Sequence, residues 1–163
     1  MIKNNKILIA TGGTGGHVFP AYSLAKNFIK NNFNVELTTD IRGFSFLKYY
    51  KALNIVKMPS SPLNKKNVLN FFLSVIMISY SILRSIFFLL FNRPSIVFGM
   101  GGYSSFPICI AAAILRINFV IYENNLIIGR ANKYLLPFTK NIFVSYKDIE
   151  GIPGKYNHKI IEI

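Results

Sequence analysis

Short apolar runs that alternate with segments of helical spacing are the feature that most limits what this chain can fold into. The runs predict strands at 6–11, 34–39, 54–58, 95–98, 118–122, 141–145 and 160–163, and the segments between them predict helices at 17–31, 44–53, 68–91, 106–116 and 129–137. Strands that alternate with helices form parallel sheets, and strands that are apolar throughout bury both faces. The sequence therefore predicts an α/β fold, with a parallel sheet and helices on both of its faces.

Composition narrows the class of protein further. Of the 163 residues, 52% are apolar and 15% are charged, which excludes a disordered chain and allows one domain with a sizeable core. The single cysteine, Cys109, excludes a disulfide framework and a multi-cysteine zinc site. The chain has no Asp-x-Asp motif, so we predict no metal site, while a dependence on Mg²⁺ stays open.

Charge is strongly unbalanced, with 19 lysine and arginine residues against 6 aspartate and glutamate residues and a net charge of +13. Such an excess indicates an anionic partner, and nucleic acid, acidic lipid headgroups and phosphorylated substrates all satisfy it. The stretch 41–122 contains no acidic residue, and it includes the most hydrophobic part of the chain. The basic residues of this apolar stretch are therefore the part of the excess positive charge that most needs an explanation.

The first candidate site is the sequence TGGTGGH at 11–17, which lies between the first predicted strand and the first predicted helix. Glycine N–H groups and the positive end of the following helix together form a cradle for an anion. The spacing excludes a Walker loop, because no Lys-Ser/Thr follows, and a dinucleotide fingerprint, because Val18 stands at the third glycine position. The helix dipole should lower the pKa of His17, which is either a general base or a binding residue at the helix start.

Two further polar clusters also follow predicted strands. The sequence GMGGYS at 99–104 is a second glycine loop before a helix, and it predicts a second anion cradle. The sequence YENN at 122–125 combines a carboxylate with amides, which suits recognition of sugar hydroxyls or a simple capping turn. Because ligands of parallel sheets bind beyond the carboxyl ends of the strands, we expect all three clusters to meet at one edge.

The stretch 68–91 predicts a long helix that is apolar nearly all round. Its length approaches a membrane span, but Arg84 interrupts it. Four of its polar residues, Asn70, Ser74, Ser81 and Ser85, form one narrow stripe. We favour docking on a membrane surface over a fully buried core helix, and a true span comes third. The residues predicted to contact the membrane are Phe71, Phe72, Phe87, Phe88, Lys65, Lys66 and Arg84.

Three motifs together identify a family. The sequences GGTGGHVFPA at 12–21, GMGGYSSFP at 99–107 and YENNLIIGRANKYL at 122–135 closely resemble the N-terminal domain of the MurG family. The resemblance covers essentially the whole chain. It implies a GT-B glycosyltransferase with a Rossmann-like N-terminal half, which transfers N-acetylglucosamine from UDP-GlcNAc to lipid I, undecaprenyl-pyrophosphoryl-MurNAc-pentapeptide, with inversion, to form lipid II in peptidoglycan synthesis.

The resemblance also implies partners and a location. UDP-GlcNAc would be a substrate and not a tightly bound cofactor, the partners would be lipid I and an anionic membrane surface, and no nucleic acid would bind. The protein would be peripheral, on the cytoplasmic face of the bacterial inner membrane.

Individual roles follow from the matching positions. The resemblance makes His17 the candidate base and assigns donor binding to Thr14, Gly15, Gly16 and Asn125. It assigns binding of the acceptor and its pyrophosphate to Gly12, Gly13, Gly101, Gly102, Tyr103, Glu123 and Asn132. Tyr122 stands where the family has histidine, so no imidazole chemistry is expected at that position.

The resemblance further implies a division into domains. Residues 1–163 would form the N-terminal domain, which binds the acceptor and docks on the membrane, and the sequence stops before the Asn-Pro-x-Arg motif of the donor-binding C-terminal domain. We therefore expect a hexosyltransferase half that is inactive by itself, as a fragment of a longer enzyme. The alternative is a non-catalytic, membrane-recruiting subunit of a split GT-B glycosyltransferase.

Overall fold

The computed structural model describes residues 5–50, 53–64 and 67–163. The strands are β1 Lys6–Ala10, β2 Asn34–Thr39, β3 Asn54–Lys57, β4 Ile96–Gly99, β5 Phe119–Glu123, β6 Ile142–Val144 and β7 Ile160–Glu162. The helices are α1 Gly15–Lys30, α2 Ile41–Leu47, α3 Val68–Phe91, α4 Phe106–Ile114 and α5 Arg130–Leu135, and a 3₁₀ helix, Gly154–Lys159, precedes β7. Each predicted strand and helix is present, so the α/β prediction is confirmed.

The largest difference from the predicted boundaries is in α2, which was expected at 44–53. Asp40 caps this helix, because its Oδ1 accepts a hydrogen bond from the backbone N–H of Gly43 at 2.9 Å. An aspartate at the N-cap satisfies an otherwise unpaired N–H group and starts the helix there. The helix therefore begins three residues earlier than the apolar spacing indicated and ends at Leu47.

The strands form one parallel sheet in the order β3-β2-β1-β4-β5-β6-β7. The chain moves outward from β1 to β3, then crosses back to β4 and continues in the other direction. The switch point between β1 and β4 is where open α/β sheets bind ligands. Both glycine loops follow these two strands, so the topology brings them to the same crevice.

Helices cover both faces of the sheet, as predicted. Leu8 and Ala10 of β1 belong to the core under α3, α4 and α5, whereas Ile7 and Ile9 belong to the core under α1 and α2. Successive side chains of a strand point to opposite faces, so a strand between two helix layers must be apolar throughout. Cys109 of α4 is completely buried in the first core, and burial raises the pKa of its thiol to about 12. A folded chain therefore protects this thiol from reagents that attack the thiolate.

Helix α3 packs on the protein through its polar stripe. Its buried residues are Ser74, Ser81, Ser85 and Leu89. The hydroxyl of Ser81 donates to the carbonyl oxygen of Met77, and that of Ser85 to the carbonyl oxygen of Ser81, each at 2.7 Å, so burial leaves neither hydroxyl unpaired. The small serines bring α3 against the alanine-rich helix α4.

The apolar side chains of α3 consequently point outward. The helix is long and apolar enough to cross a membrane by length and composition, yet only 22% of its most apolar window is buried in the protein. Phe72 is 59% exposed and Phe87 61% exposed, and Phe71 and Arg84 are also exposed. The alternative interpretation of α3 as a fully buried core helix is therefore wrong.

Two of the predicted membrane contacts need separate mention. Phe88 differs from its neighbours, because its side chain is half-buried and packs against the core. Lys65 and Lys66 lie outside the described residues.

Candidate functional site

The two glycine loops touch each other at the switch point of the sheet. Gly101 and Gly102 have φ angles of +84° and +77°, a region that L side chains rarely adopt. A methyl group built on Gly102 would lie 2.8 Å from the α-carbon of Gly12, so the close approach of the loops also requires glycine. Ser104 fastens the second loop, since its hydroxyl donates to the carbonyl oxygen of Thr11 at 2.9 Å.

His17 lies in the first turn of α1, beside this contact. Its Nδ1 is buried and has no hydrogen-bond partner of normal geometry among the described residues. The pKa of His17 is lowered from its ordinary value, mainly by burial, while the charge of Glu123 and the backbone of Met100 act in the opposite direction. The direction is the one predicted, the cause that lowers the pKa is burial, and burial favours the neutral imidazole.

A hydrogen bond joins the polar cluster at 122–125 to the start of α1, and it depends on a proline. Pro20 lies inside α1 and has no N–H group, so the carbonyl oxygen of Gly16, four positions earlier, lacks its helical donor. The side-chain amide of Asn124 donates to this oxygen at 2.9 Å. Sequence reasoning did not single out Asn124 as a site residue, although a proline at the second turn of a helix signals a free carbonyl oxygen.

The buried carboxylate of Glu123 holds the loop after β5 through hydrogen bonds. It is only 1% exposed. Its Oε1 accepts hydrogen bonds from the backbone and side-chain amides of Asn125, at 3.1 and 2.6 Å, and its Oε2 accepts from the backbone of Gly129 at 2.8 Å and the side chain of Asn132 at 3.0 Å. The carboxylate is thus saturated by the protein and holds the loop between β5 and α5.

Arg42 is a site residue that the sequence did not reveal. Its guanidinium donates to Oδ2 of Asp40 from Nε at 3.1 Å and from Nη2 at 2.9 Å, and it lies over the ring of Tyr103 at 4.7 Å. Gly13 lies directly against this ion pair, and a side chain there would collide with Asp40 and Arg42. Arg42 therefore bridges the first glycine loop and the aromatic residue of the second.

A cleft of about 750 Å³ opens beside His17. The predicted site residues that line it are His17, Gly102, Tyr103, Glu123, Asn125 and Asn132, and the lining that was not predicted includes Ser61, Pro62, Leu63, Ile78, Phe106, Arg130, Lys133 and Tyr134. Ile78 belongs to α3, so the cleft reaches from the glycine loops to the apolar helix. Arg130 and Lys133 add positive charge to the lining.

The other predicted residues lie outside this lining. Gly12, Gly13 and Gly101 are buried behind it, where the loops meet. Thr14, Gly15 and Gly16 form the start of α1, where Thr14 makes no side-chain capping bond and the first turn has no acidic residue. The positive end of the helix dipole is therefore not neutralised by an acidic side chain of its own first turn, and it favours an anion.

Tyr122 takes no part in the cleft. Its hydroxyl lies 2.8 Å from the hydroxyl of Ser145, and its ring packs against the core under α1 and α2. The position has a structural role here.

No group of three or more histidine, cysteine, aspartate or glutamate side chains that could hold a metal ion occurs within residues 5–50, 53–64 and 67–163. The charged side chains that line the cleft are those of Arg130, Lys133 and the hydrogen-bonded Glu123.

Together, the sheet order, the paired glycine loops and the cleft at the switch point define the Rossmann-like N-terminal half of a GT-B glycosyltransferase. The chain belongs to the Glycosyltransferase family 28 N-terminal domain family, which matches residues 7–144. The resemblance to the MurG family is confirmed by a relative from Pelagibacter ubique, named UDP-N-acetylglucosamine–N-acetylmuramyl-(pentapeptide) pyrophosphoryl-undecaprenol N-acetylglucosamine transferase, which is 38% identical over 96% of this chain. The chain spans 43% of that relative's length.

Solved structures support the fold. MurG of Acinetobacter baumannii superimposes with a TM-score of 0.82 at 21% identity, covering 96% of this chain and 45% of that one. A UDP-GlcNAc 2-epimerase from Neisseria meningitidis, solved bound to UDP-GlcNAc, superimposes with a TM-score of 0.66 at 18% identity, covering 96% of this chain and 45% of that one.

Proposed function

We propose that this chain is the acceptor-binding half of an enzyme that transfers N-acetylglucosamine from UDP-GlcNAc to undecaprenyl-pyrophosphoryl-MurNAc-pentapeptide. The observation that carries the proposal is the meeting of two glycine loops and a neutral histidine at one cleft, in a chain whose relatives are named for this reaction. The lining of the cleft includes the basic residues Arg130 and Lys133 and the apolar Ile78 of α3, which suits an acceptor that combines a diphosphate with a lipid.

The chemistry assigned to the chain is proton removal and charge stabilisation. A hydroxyl oxygen of the acceptor sugar attacks the anomeric carbon of the donor, and the bond from that carbon to the phosphate oxygen breaks with inversion. His17 takes the hydroxyl proton, which its neutral imidazole is able to accept. UDP leaves with the bonding electron pair, and the uncapped start of α1 at Thr14–Gly16 stabilises its negative charge.

The remaining site residues are assigned to the acceptor, to the donor or to the shape of the loops. Gly102, Tyr103, Arg130 and Lys133 line the part of the cleft proposed for the acceptor diphosphate, and Asn125, which is exposed, is available to the donor sugar. Gly12, Gly13 and Gly101 act indirectly, because they let the loops approach each other.

Joining this chain to a donor-binding domain tests the proposal. We expect residues 1–163 fused to the C-terminal part of the Pelagibacter ubique relative, hereafter the completed enzyme, to transfer radiolabelled GlcNAc from UDP-GlcNAc to a short-chain lipid I analogue. The same fusion with the donor UDP-glucose is the control for donor specificity. A correctly folded fusion that transfers no sugar to the analogue would contradict the proposed function.

We further propose that α3 docks the domain on the cytoplasmic face of the inner membrane. The support is the outward apolar face of α3 on a chain with net charge +13. Apolar surface of this kind inserts at the headgroup boundary, and each nearby basic residue adds about 1 kcal/mol on an anionic surface. A charge at the bilayer centre would cost about 2.5–3.5 kcal/mol, whereas Arg84 at the interface can reach lipid phosphates.

Vesicle co-sedimentation measures this docking. We expect stronger binding to vesicles with phosphatidylglycerol than to pure phosphatidylcholine, and weaker binding at high salt. The double variant Phe72→Ser/Phe87→Ser should bind about 10²-fold more weakly, because each phenylalanine contributes about 1.5–3 kcal/mol when it leaves water. Lys65→Glu/Lys66→Glu should weaken binding to the anionic vesicles.

The matched control is Tyr49→Ser, which removes an exposed aromatic residue next to α2, on the other helix layer, and should leave binding unchanged. Equal binding to both lipid types, or a loss of binding with Tyr49→Ser as large as that with the phenylalanine variants, would contradict docking through α3.

A further inference from the structure

The side-chain amide of Asn132 has a determined orientation. Its nitrogen donates to the carbonyl oxygen of Tyr122 and to Oε2 of Glu123, each at 3.0 Å. Both partners are acceptors, so the nitrogen must lie on their side and the oxygen Oδ1 on the other. Oδ1 is buried and receives no hydrogen bond from the described residues. Asn132 lines the cleft but is only 1% exposed, so most of its side chain is enclosed by protein.

The imidazole of His17 lies near the unpaired Oδ1 of Asn132. Its Nδ1 is the other buried atom without a partner at this place. Gly101 separates the two side chains: a methyl group built on it would lie 3.0 Å from Nδ1 of His17 and 3.7 Å from the amide nitrogen of Asn132. A glycine at this position therefore leaves the imidazole and the amide next to each other.

Two groups near Nδ1 of His17 offer hydrogen-bond acceptors. The backbone N–H of Met100 is already bonded to the carbonyl oxygen of Ala10, so only its carbonyl oxygen is available to the imidazole. The two N–H bonds of the Asn132 amide are used on Tyr122 and Glu123, so only Oδ1 is available from that side chain. These two acceptors, the Met100 carbonyl oxygen and Oδ1 of Asn132, favour a hydrogen on Nδ1 of the neutral imidazole.

We propose that Asn132 is the positioning residue of His17: its Oδ1 accepts the Nδ1 hydrogen through one water molecule and leaves Nε2 unprotonated towards the cleft. Glu123 holds the amide in this orientation from behind. The arrangement assigns Asn132 and Glu123 to the support of the histidine and not to contact with the acceptor. Its catalytic consequence rests on the proposed function, because Nε2 then is the nitrogen that takes the acceptor proton.

Nitrogen-15 NMR of the histidine-labelled chain tests the proposal without any turnover. The chain has only two histidines, and His158, exposed on the 3₁₀ helix, is the internal reference. At a pH where both imidazoles are neutral, we expect His17 to carry its hydrogen on Nδ1 and His158 to show the Nε2–H form that free histidine favours. A His17 signal in the Nε2–H form would overturn the proposal.

Two variants separate a specific contact from a general disturbance. Asn132→Leu removes the acceptor and should move His17 towards the Nε2–H form. Asn125→Ala is the matched control, because it removes another hydrogen bond to Glu123 but on Oε1, and the His17 tautomer should stay as in the unaltered chain. Protection of the Cys109 thiol reports folding, and Asn132→Ser replaces the leucine variant if that thiol becomes reactive. A folded Asn132 variant with an unchanged tautomer would also overturn the proposal.

Kinetics of the completed enzyme provide the independent readout. Asn132→Leu should lower kcat about 10-fold or more and leave the KM for the lipid I analogue unchanged, because the residue acts through His17 and not on the acceptor. A raised KM at constant kcat would instead mean a direct acceptor contact and would contradict a positioning role. If the completed enzyme transfers no sugar, the proposed function fails, while the NMR result still decides the tautomer.

Discussion

Replacement of His17 by alanine in the completed enzyme should lower kcat by about 10²-fold or more, the scale of one positioned general base. The imidazole is the titratable group at the point where the two glycine loops meet, and burial keeps it neutral and able to accept a proton. The loss should therefore be in kcat, because alanine leaves the rest of the cleft in place. Steady-state kinetics with the lipid I analogue and UDP-GlcNAc measure it.

The second histidine of the chain supplies the control for this substitution. His158 lies exposed on the 3₁₀ helix and does not line the cleft, so His158→Ala should keep the original kcat. If His17→Ala retains kcat and only the KM for the acceptor rises, then His17 is a binding residue and another group removes the proton.

The pH dependence of the same reaction follows from the direction of the shift. The pKa of His17 lies below the ordinary histidine value of 6.5. The base works only when it is neutral, so kcat/KM should be constant above the lowered pKa and fall as the pH decreases through it. The acidic midpoint of the profile is thus expected below 6.5. His17→Ala should remove this acidic limb, and an identical limb in the variant would assign it to a different group.

A polypeptide of residues 1–163 alone should transfer no measurable GlcNAc to the lipid I analogue. The chain spans 43% of the length of its Pelagibacter ubique relative. The proposed function places the domain that holds the donor over the acceptor in the remaining part. Holding two reactants in the productive geometry is worth about 7–11 kcal/mol, so its loss exceeds the effect of any single side chain. Transfer of radiolabelled GlcNAc, compared with the completed enzyme at equal concentration, measures the difference.

Addition of the second domain as a separate polypeptide distinguishes the two readings of this chain. If it is one subunit of a split enzyme, mixing it with the separately produced C-terminal part should restore activity without a covalent link. If it is a fragment, only the fusion should be active at micromolar concentration. Robust turnover by residues 1–163 without any second domain would contradict both readings.

Much of the fold and part of the site could be predicted, because local patterns encode them. Runs such as Ile7–Ala10 are apolar at every position, which only a strand between two helix layers requires. The glycines at 101 and 102 adopt positive φ angles that other residues rarely accept, so their clustering marks a tight loop before the chain is folded. Parallel strands then bring such loops to one edge.

Helix α3 shows where local patterns stop being sufficient. Its stripe of serines is visible in the sequence, but a polar stripe on a helix is normally the solvent face. Here the serines bond to carbonyl oxygens of their own helix and pack on α4, so that Phe72 and Phe87 face outward. The orientation depends on the alanine-rich surface of α4, which no periodicity within α3 reveals.

The sequence by itself determined the alternation of strands and helices, the parallel sheet and the glycine loops after β1 and β4, since these depend on residues that are neighbours in the chain. Only the tertiary structure decided that Glu123 and Asn132 turn inward behind His17, and that Asn124 bonds to Gly16 at a distance of 108 positions along the chain. A carboxylate and two amides after a strand have the same sequence whether they face a sugar or one another. Their direction is set by which buried donors and acceptors the folded chain leaves unpaired, and that depends on segments far apart in the sequence.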